Sequence, residues 1–324
     1  MAGPVLSVIV PVRDVQRYVP EMMRGLAGNV RNDIEFIVVN DGSADSTPDV
    51  VEDHRSLVPG LRLVHHDRPL GVNAARNRGI AEAQGRYLMF HDGDDWMAPG
   101  HLFDLVAAIE RLGCDFLRTD HIQVTGRRRV LHRAPQGRRD IVLPPRDSIL
   151  PVHEPTMVDY PGVFTGIYRR ELADAGVLLF DERVQTATDR PFIWQLFRTA
   201  ESYAVVSLAG VFYRRGVATS LTQIGDERQL HFFDAFDIVL AGLADDPDRD
   251  RFLRKAVRTY LALIVRHLNL QDRLLPELRE RLHARAVATI RALPGPLVAE
   301  TLPALGLDRM RVLSETLGIE VGAL

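Results

Sequence analysis

Arg86-Tyr-Leu-Met-Phe-His-Asp-Gly-Asp-Asp-Trp96 places a short apolar run directly before three closely spaced carboxylates. The apolar run is typical of a buried strand, and Asp92, Asp94 and Asp95 follow it almost at once. Carboxylates this close repel one another, so the stretch suggests a compensating cation such as Mg²⁺ or Mn²⁺. On these residues alone, a polar turn in which Asp94 or Asp95 caps the next helix is an equally good interpretation.

The composition is that of an ordinary globular protein. The 324 residues include 46% hydrophobic and 26% charged side chains, enough to build a sizeable core. The single cysteine, Cys114, excludes an intramolecular disulfide and is typical of a reducing compartment. The sequence has no recognisable signal peptide or membrane span. We therefore expect a soluble, cytoplasmic protein.

The charge pattern argues against one class of partner and favours another. A net charge of −3 gives no electrostatic basis for nucleic-acid binding. Lys255 is the only lysine among 40 basic residues, so the chain is rich in arginine. Arginine can hold phosphate or carboxylate groups through two parallel hydrogen bonds.

Apolar runs alternate with helical patterns over about the first 120 residues. The segments 5–12 and 33–40 are nearly continuous, β-branched runs typical of central parallel strands. Segments 61–65, 87–90 and 114–122 are predicted to be further strands, with helices between them. Ser46-Thr-Pro-Asp49 is predicted to cap the second helix. This alternation predicts a doubly wound α/β sheet, in which ligands bind beyond the carboxyl ends of the strands.

The second half of the chain has a different pattern. Residues 126–159 are predicted to form hairpin strands and a mobile loop, and residues 204–213 a final strand. From residue 226 onward the pattern is helical throughout. Packing against the first part is the default role for this helical tail, and oligomerisation or acceptor binding are alternatives.

Four separated motifs resemble one family, the family 2 glycosyltransferases, which are inverting enzymes of the GT-A fold. The motifs are Val8-Ile-Val-Pro-Val12, Val39-Asn-Asp-Gly-Ser-Ala-Asp-Ser46, Leu70-Gly-Val-Asn-Ala-Ala-Arg-Asn-Arg-Gly79 and Phe90-His-Asp-Gly-Asp-Asp-Trp96. Each motif is weak by itself, but the four occur in the family's order and at family-like spacing. The resemblance implies a GT-A domain at residues 1–225, and the helical region 226–324 lies outside it.

The resemblance also implies roles for single residues. A divalent cation, Mn²⁺ or Mg²⁺, would be held by Asp92 and Asp94 and would bridge the donor diphosphate. The residues implied to bind the nucleotide-sugar donor are Pro11, Val12, Arg13, Asp41, Asp67, Arg76, Asp92, Gly93, Arg214, Arg215 and Ser220. Asp41 would accept a hydrogen bond from the nucleotide base, although an Asx-turn is its structural alternative. A surface salt bridge is the alternative for Arg76, and an ordinary basic turn for Arg214 and Arg215.

Asp189 is the candidate catalytic base. An inverting transfer needs a carboxylate opposite the leaving group, where it takes the proton of the acceptor hydroxyl. The family has Glu-Asp at this point, whereas this chain has Thr188-Asp189. The same residues are also suited to begin a helix, so Asp189 could serve both purposes.

The sequence therefore predicts a metal-dependent glycosyltransferase that acts on a glycan or other hydroxyl acceptor, such as a surface polysaccharide or a teichoic-acid-like polymer. A sugar-phosphate nucleotidyltransferase is disfavoured, because Val12-Arg-Asp-Val15 has neither a glycine-rich loop nor a lysine. A non-catalytic nucleotide-sugar-binding or scaffold protein is the other alternative. Association with the inner face of the membrane and self-association through the tail are further hypotheses.

Overall fold

In the computed structural model, which describes residues 3–217 and 225–318, strands and helices alternate as expected up to β6. The strands are β1 Leu6–Val12, β2 Ile34–Asn40, β3 Arg62–His65, β4 Tyr87–Phe90, β5 Trp96–Met97, β6 Phe116–Thr119, β7 His121–Thr125, β8 Arg128–His132, β9 Gly166–Arg169, β10 Tyr203–Val206 and β11 Val211–Arg214. The helices are α1 Val19–Ala27, α2 Thr47–Asp53, α3 Val72–Glu82, α4 His101–Leu112, α5 Arg170–Asp174, α6 Asp189–Thr199, α7 His231–Gly242, α8 Arg249–Asn269, α9 Pro276–Ala292, α10 Gly295–Ala304 and α11 Leu307–Leu317.

Seven strands form the main sheet, in the order β10-β6-β9-β4-β1-β2-β3. β1 is parallel to both of its neighbours, β2 and β4, and β2 is parallel to β3. β9 is antiparallel to both β4 and β6. The predicted doubly wound α/β class is thus confirmed, as a mixed sheet in which one late strand is inserted between two earlier ones.

A second, four-stranded sheet, β5-β11-β7-β8, lies at the carboxyl end of β4. Two single strands expected from the sequence are each divided between the two sheets. Residues 114–122 contain β6 and the start of β7, and residues 204–213 contain β10 and the start of β11. Turns at Asp120 and at residues 207–210 redirect the chain, which an apolar pattern alone does not reveal.

The main sheet is covered on both faces, and this explains the continuous apolar runs. Every residue of β1 is buried. Because side chains alternate along a strand, Val8 and Val10 pack in one core cluster with α1 and α4, whereas Ile9 packs in the other with α3 and α6. Helix α3 lies close to β1: a Cβ on Gly79 would come within 2.2 Å of Ile9 Cγ2.

The helical tail shares its core with the main sheet. One cluster of buried side chains extends from Phe90 through Phe192 of α6 to Tyr260 of α8. An ionic contact adds to this packing: Arg146 and Arg198 both bind Asp246, a buried carboxylate in the α7–α8 connection. None of the described helices is long and apolar enough to cross a membrane.

Candidate active site

A cleft of about 470 Å³ opens at the carboxyl ends of β1, β2 and β4, and we call it the strand-end cleft. Its lining includes eight of the residues singled out from the sequence, namely Pro11, Val12, Arg13, Asp41, Arg76, Asp92, Gly93 and Asp94. These residues are distant in the chain and meet because parallel strands end at the same edge of the sheet.

The loops after β1 and β2 are joined by reciprocal hydrogen bonds. The Asp14 amide donates to Ser43 Oγ, and Asp14 Oδ1 accepts from the Ala44 amide. The Gln16 amide donates to Asp45 Oδ2 at 3.2 Å. Ser46 is the N-cap residue of α2, as predicted, but its side chain forms no capping hydrogen bond, and Asp45 Oδ1 instead accepts from the Thr47 amide. This wall of the cleft is therefore set before any ligand arrives.

Asp41 is nearly fully buried at the base of the cleft, with 2% of its surface exposed. Its carboxylate accepts from the amides of Leu70 and Gly71 and pairs with His66 Nδ1, at 2.8 to 2.9 Å. These contacts attach the start of α3 to the end of β2. The predicted contact between Asp41 and the base stays a prediction, since the carboxylate already holds three groups of the protein.

The acidic turn, residues 91–95, lies between the two sheets. Burial and the charge of Asp92 raise the pKa of Asp94 to about 6. Burial, together with Asp94 and Asp92, also raises the pKa of Asp95 well above its usual range. Asp95 Oδ1 accepts from the Arg214 amide at 2.7 Å, which fastens β11 to the turn. Asp95 does not cap α4, whose N-cap residue is Gly100.

The chemistry of this turn fits a divalent cation. Asp95 Oδ2 is buried without a hydrogen-bond partner among the described residues, and burial and the neighbouring carboxylates raise the pKa values of Asp94 and Asp95 more than the nearby Arg214 lowers them. In residues 3–217 and 225–318 no set of three or more acidic, histidine or cysteine side chains is arranged to hold a metal alone. Mg²⁺-type sites often use one or two carboxylates and complete the shell with substrate phosphates.

Helix α3 connects the acidic turn to the start of α6. The Arg76 guanidinium donates to Asp92 Oδ1 at 2.9 Å and to Thr188 Oγ1 at 3.4 Å. Arg76 is 6% exposed, so this ion pair is not the surface salt bridge of the alternative interpretation.

Two asparagines of α3 hold the segment before α6. Asn77 exchanges two hydrogen bonds with the Phe180 backbone, and the side-chain amide of Asn73 donates to the carbonyl of Val184. The Ala-Arg-Asn sequence thus positions the segment that leads to α6.

Asp189 is the first residue of α6 and lines a neighbouring cavity of about 350 Å³, the α6 cleft. The α6 cleft and the strand-end cleft share Arg76, Asp92 and Thr188 in their linings, so the two clefts adjoin. The Asp189 carboxylate has no hydrogen bond or ion pair with any part of the chain that the structure describes. The backbone before it is strained, because Ala187 has a φ of 54°.

The remaining predicted residues are distributed differently. Arg215 lines the α6 cleft, whereas Arg214 points away and binds Glu21 and the Asp94 carbonyl. Asp67 is exposed and lines neither cleft. Ser220 lies outside the described residues. Of the two arginines left open by the sequence, Arg215 is therefore the one that faces the site.

The sequence also missed residues of the site. Gln185 and Arg228 line the strand-end cleft, and tail residues such as Leu263 and Arg266 line the α6 cleft. They belong to no recognisable motif, and only the packing of the tail against α6 brings them there. The periodicity of the tail helices does not show that they border the α6 cleft.

Comparison with known proteins identifies the family. A sequence profile described as "Glycosyl transferase family 2" matches residues 7–174. The uncharacterized glycosyltransferase EpsJ of Bacillus subtilis is 32% identical over 227 residues, which cover 68% of this chain and 64% of EpsJ. The poly(ribitol-phosphate) β-N-acetylglucosaminyltransferase TarS of Staphylococcus aureus is 26% identical over 64% of this chain and 35% of TarS. The chain thus spans less than two thirds of the length of the relatives it matches.

Solved structures give the fold. TarS residues 1–349 with UDP-GlcNAc superpose with a TM-score of 0.74 at 20% identity, over 97% of this chain and 88% of that one. The mannosyltransferase PcManGT of Pyrobaculum calidifontis, solved with GDP-Man and Mn²⁺, has a TM-score of 0.54 at 16% identity over 97% and 80% of the two chains. The GT-A fold expected from the motifs is confirmed.

Proposed function

This chain belongs to glycosyl transferase family 2, and on that premise we propose that it is an inverting glycosyltransferase with a UDP-sugar donor and a hydroxyl acceptor on a cell-surface polymer. One observation carries the proposal. Arg76 bridges Asp92 of the acidic turn and Thr188, the neighbour of Asp189, so a candidate donor site and a candidate base border one cleft. TarS, which shares the fold, was solved with UDP and with UDP-GlcNAc.

In this proposal the strand-end cleft holds the donor. Pro11, Val12 and Arg13 form the wall against base and ribose, and the acidic turn faces the diphosphate. A Cβ on Gly93 would lie 2.6 Å from Val12 Cγ1, so glycine is required for the turn to pack on this wall. Asp92 and Asp94 would hold Mn²⁺ or Mg²⁺. When bound, this cation supplies the positive charge that stabilises the departing diphosphate.

Asp189 then acts on the acceptor. Its carboxylate, free of protein partners within the described residues, takes the proton of the acceptor hydroxyl as the oxygen attacks the anomeric carbon. The bond from that carbon to the diphosphate oxygen breaks, and the nucleoside diphosphate leaves with the bonding electrons. Attack opposite the leaving group inverts the configuration. Arg215, at the edge of the same cleft, is suited to stabilise the leaving charge.

Turnover of a panel of UDP-, GDP- and dTDP-sugars, with and without a chelator, tests this function. We expect chelator-sensitive release of UDP that is abolished in both Asp94→Ala and Asp189→Ala. Release that survives both substitutions would reject the assignment. Nucleotide binding without any turnover would instead favour the non-catalytic alternative. A cytoplasmic location and association with a membrane face or a second copy stay predictions.

A further inference from the structure

Besides the strand-end cleft and the α6 cleft, a third cavity of about 680 Å³ is lined by residues of α6 and of the tail and carries four arginines. Arg258 and Arg266 come from α8, Arg309 from α11, and Arg190 from α6. We call this cavity the arginine trough. It lies outside the four sequence motifs.

The charges of the trough are not balanced by the protein. None of its four arginines forms an ion pair with a carboxylate of the described chain. Within residues 3–217 and 225–318, Arg190 and Arg258 donate only to backbone carbonyls, and Arg258 Nε is buried without a partner. Asp159 also lines the trough, but its carboxylate lies 2.5 Å from the buried ammonium group of Lys255. The trough therefore presents net positive charge.

Several arginines elsewhere on the tail behave differently, although Arg291 and Arg311 also lack a carboxylate partner in the described chain. Arg254, Arg281 and Arg285 are each paired with a carboxylate, the partners being Glu300, Glu227 and Asp234. Carboxylates are thus available in the tail and are placed away from the trough. Concentrating unpaired guanidinium groups in one concave place has an electrostatic cost, which an anionic ligand would offset.

The trough continues into the catalytic cleft. Arg190, Leu263, Arg266 and Leu270 line both the arginine trough and the α6 cleft that contains Asp189. A ligand in the trough can therefore extend directly toward the carboxylate proposed to activate the acceptor. Arg258 and Arg266 lie eight residues apart on α8, about 12 Å along its axis, which suits a chain rather than a single anion.

We propose that the tail is the acceptor-binding element and that it selects a polyanionic acceptor, whose phosphodiester or carboxylate groups bind in the arginine trough. This inference rests on the proposed function, since it takes Asp189 as the end of the acceptor path. Arginine suits both anions, because its planar guanidinium binds phosphate and carboxylate oxygens in pairs. The apolar stretch formed by Leu263 and Leu270 would face the uncharged part of the chain.

Direct binding of defined probes tests the inference. The probes are fluorescent oligomers of glycerol phosphate, oligogalacturonate and a neutral maltooligosaccharide, measured by anisotropy at 50 and 300 mM NaCl. We expect binding of one or both anionic probes, weakened at high salt, and no binding of the neutral one. Preference for the phosphate or the uronate oligomer distinguishes the two sources of anion. Binding of the neutral probe alone would overturn the proposal.

Matched variants locate the site. Arg309→Gln and Arg266→Gln should each weaken binding of the anionic probe at least fivefold. Arg311→Gln, which removes an exposed arginine of the same helix outside the trough, should change it less than twofold. Equal losses in Arg309→Gln and Arg311→Gln would show a diffuse charge effect and would overturn the proposal. So would binding to phosphatidylglycerol vesicles that is lost in Arg309→Gln while the oligomers do not bind.

The two proposals fail in different ways. Hydrolysis of the UDP-sugar without acceptor depends on the strand-end cleft and should be the same in Arg309→Gln as in the unaltered chain. If no donor is turned over, the proposed function fails, whatever the probes do. If turnover is normal and the anionic probes do not bind, only the polyanion inference fails. Unfolding temperatures of the three variants should agree within a few degrees, because all the altered side chains are exposed.

Discussion

The two sides of the proposed catalytic space are built in opposite ways. The strand-end cleft is acidic, lies at the ends of buried strands, and is held by hydrogen bonds among its own loops. The arginine trough is basic, lies on helices, and leaves its charges without carboxylate partners in the described chain. A preformed pocket suits a donor of fixed shape, whereas a charged helical surface suits a ligand of variable length. Asp189, the first residue of α6, lies in the α6 cleft that adjoins both.

The largest expected effect comes from Asp189. Asp189→Asn should lower the rate of sugar transfer about 10³-fold, because loss of a general base has an effect of this size. Donor binding, measured by calorimetry, should change less than twofold, which would separate the two sides of the cleft. Asp250→Asn, in the first turn of α8 and 94% exposed, is the matched control and should be fully active. Normal transfer by Asp189→Asn would remove this residue from the mechanism.

Substitution of Asp94 tests the role of the strand-end cleft. Asp94→Asn should weaken Mn²⁺-dependent binding of the UDP-sugar about 100-fold, the upper part of the range for lost metal-site interactions. Binding of the anionic probe in the arginine trough should be unchanged. Calorimetry of the donor and anisotropy of the probe, on the same preparation, provide the comparison. If Asp94→Asn weakened binding of the donor and of the anionic probe to the same extent, the strand-end cleft and the arginine trough would not be independent.

The stability of the metal-free protein should depend on Asp94 as well. Since the pKa of Asp94 is raised to about 6, the folded state holds this proton more tightly than the unfolded chain does. Stability without metal should therefore fall as the pH rises from about 4 through 6, by about 2 kcal/mol once partial exposure is allowed for. Urea unfolding in EDTA at pH 4 and 7 measures this. In Asp94→Asn the difference in unfolding free energy between the two pH values should be smaller. An unchanged difference would show that Asp94 is not its source.

The smallest effect concerns the contact that holds the tail. Burial alone would raise the pKa of Asp246, but hydrogen bonds from Arg146 and Arg198 outweigh it and lower the pKa to about 2. The stabilisation of the folded state by these hydrogen bonds is fully present above the ordinary pKa of an aspartate, and it is lost as the pH falls from about 4 to 2. Asp246→Asn should cost about 1 kcal/mol at pH 7, because Arg146 retains Asp248. Thermal unfolding measures the loss, and Asp245→Asn is the control.

How far the sequence predicted these structures depends on the kind of signal. The alternation of apolar runs was sufficient for β1, β2 and β4, which are largely apolar because they are buried on both faces, and for the partly buried edge strand β3. It was sufficient for the strand-end cleft too, since parallel strands bring their ends together by topology. β9 was not predicted to lie antiparallel between β4 and β6, because strand order is set by contacts between distant segments.

The sequence predicted little of the proposed acceptor side. Asp189 was found through its place in a family pattern, whereas Arg258 and Arg309 belong to no pattern and look like ordinary solvent-facing arginines of amphipathic helices. Only the packed structure shows that carboxylates which could pair with them are elsewhere. An unpaired charge is a property of three-dimensional arrangement and leaves no trace in local spacing.

The acidic turn has a mechanical consequence. It is preceded by β4 of the main sheet and followed by β5 of the small sheet, and Asp95 also holds the β11 backbone at Arg214. The chain also crosses between the sheets from β6 to β7 and from β10 to β11, so the acidic turn is one of several connections. It differs from the others because the hydrogen bond from the Arg214 amide to Asp95 couples any displacement of β11 to the carboxylates.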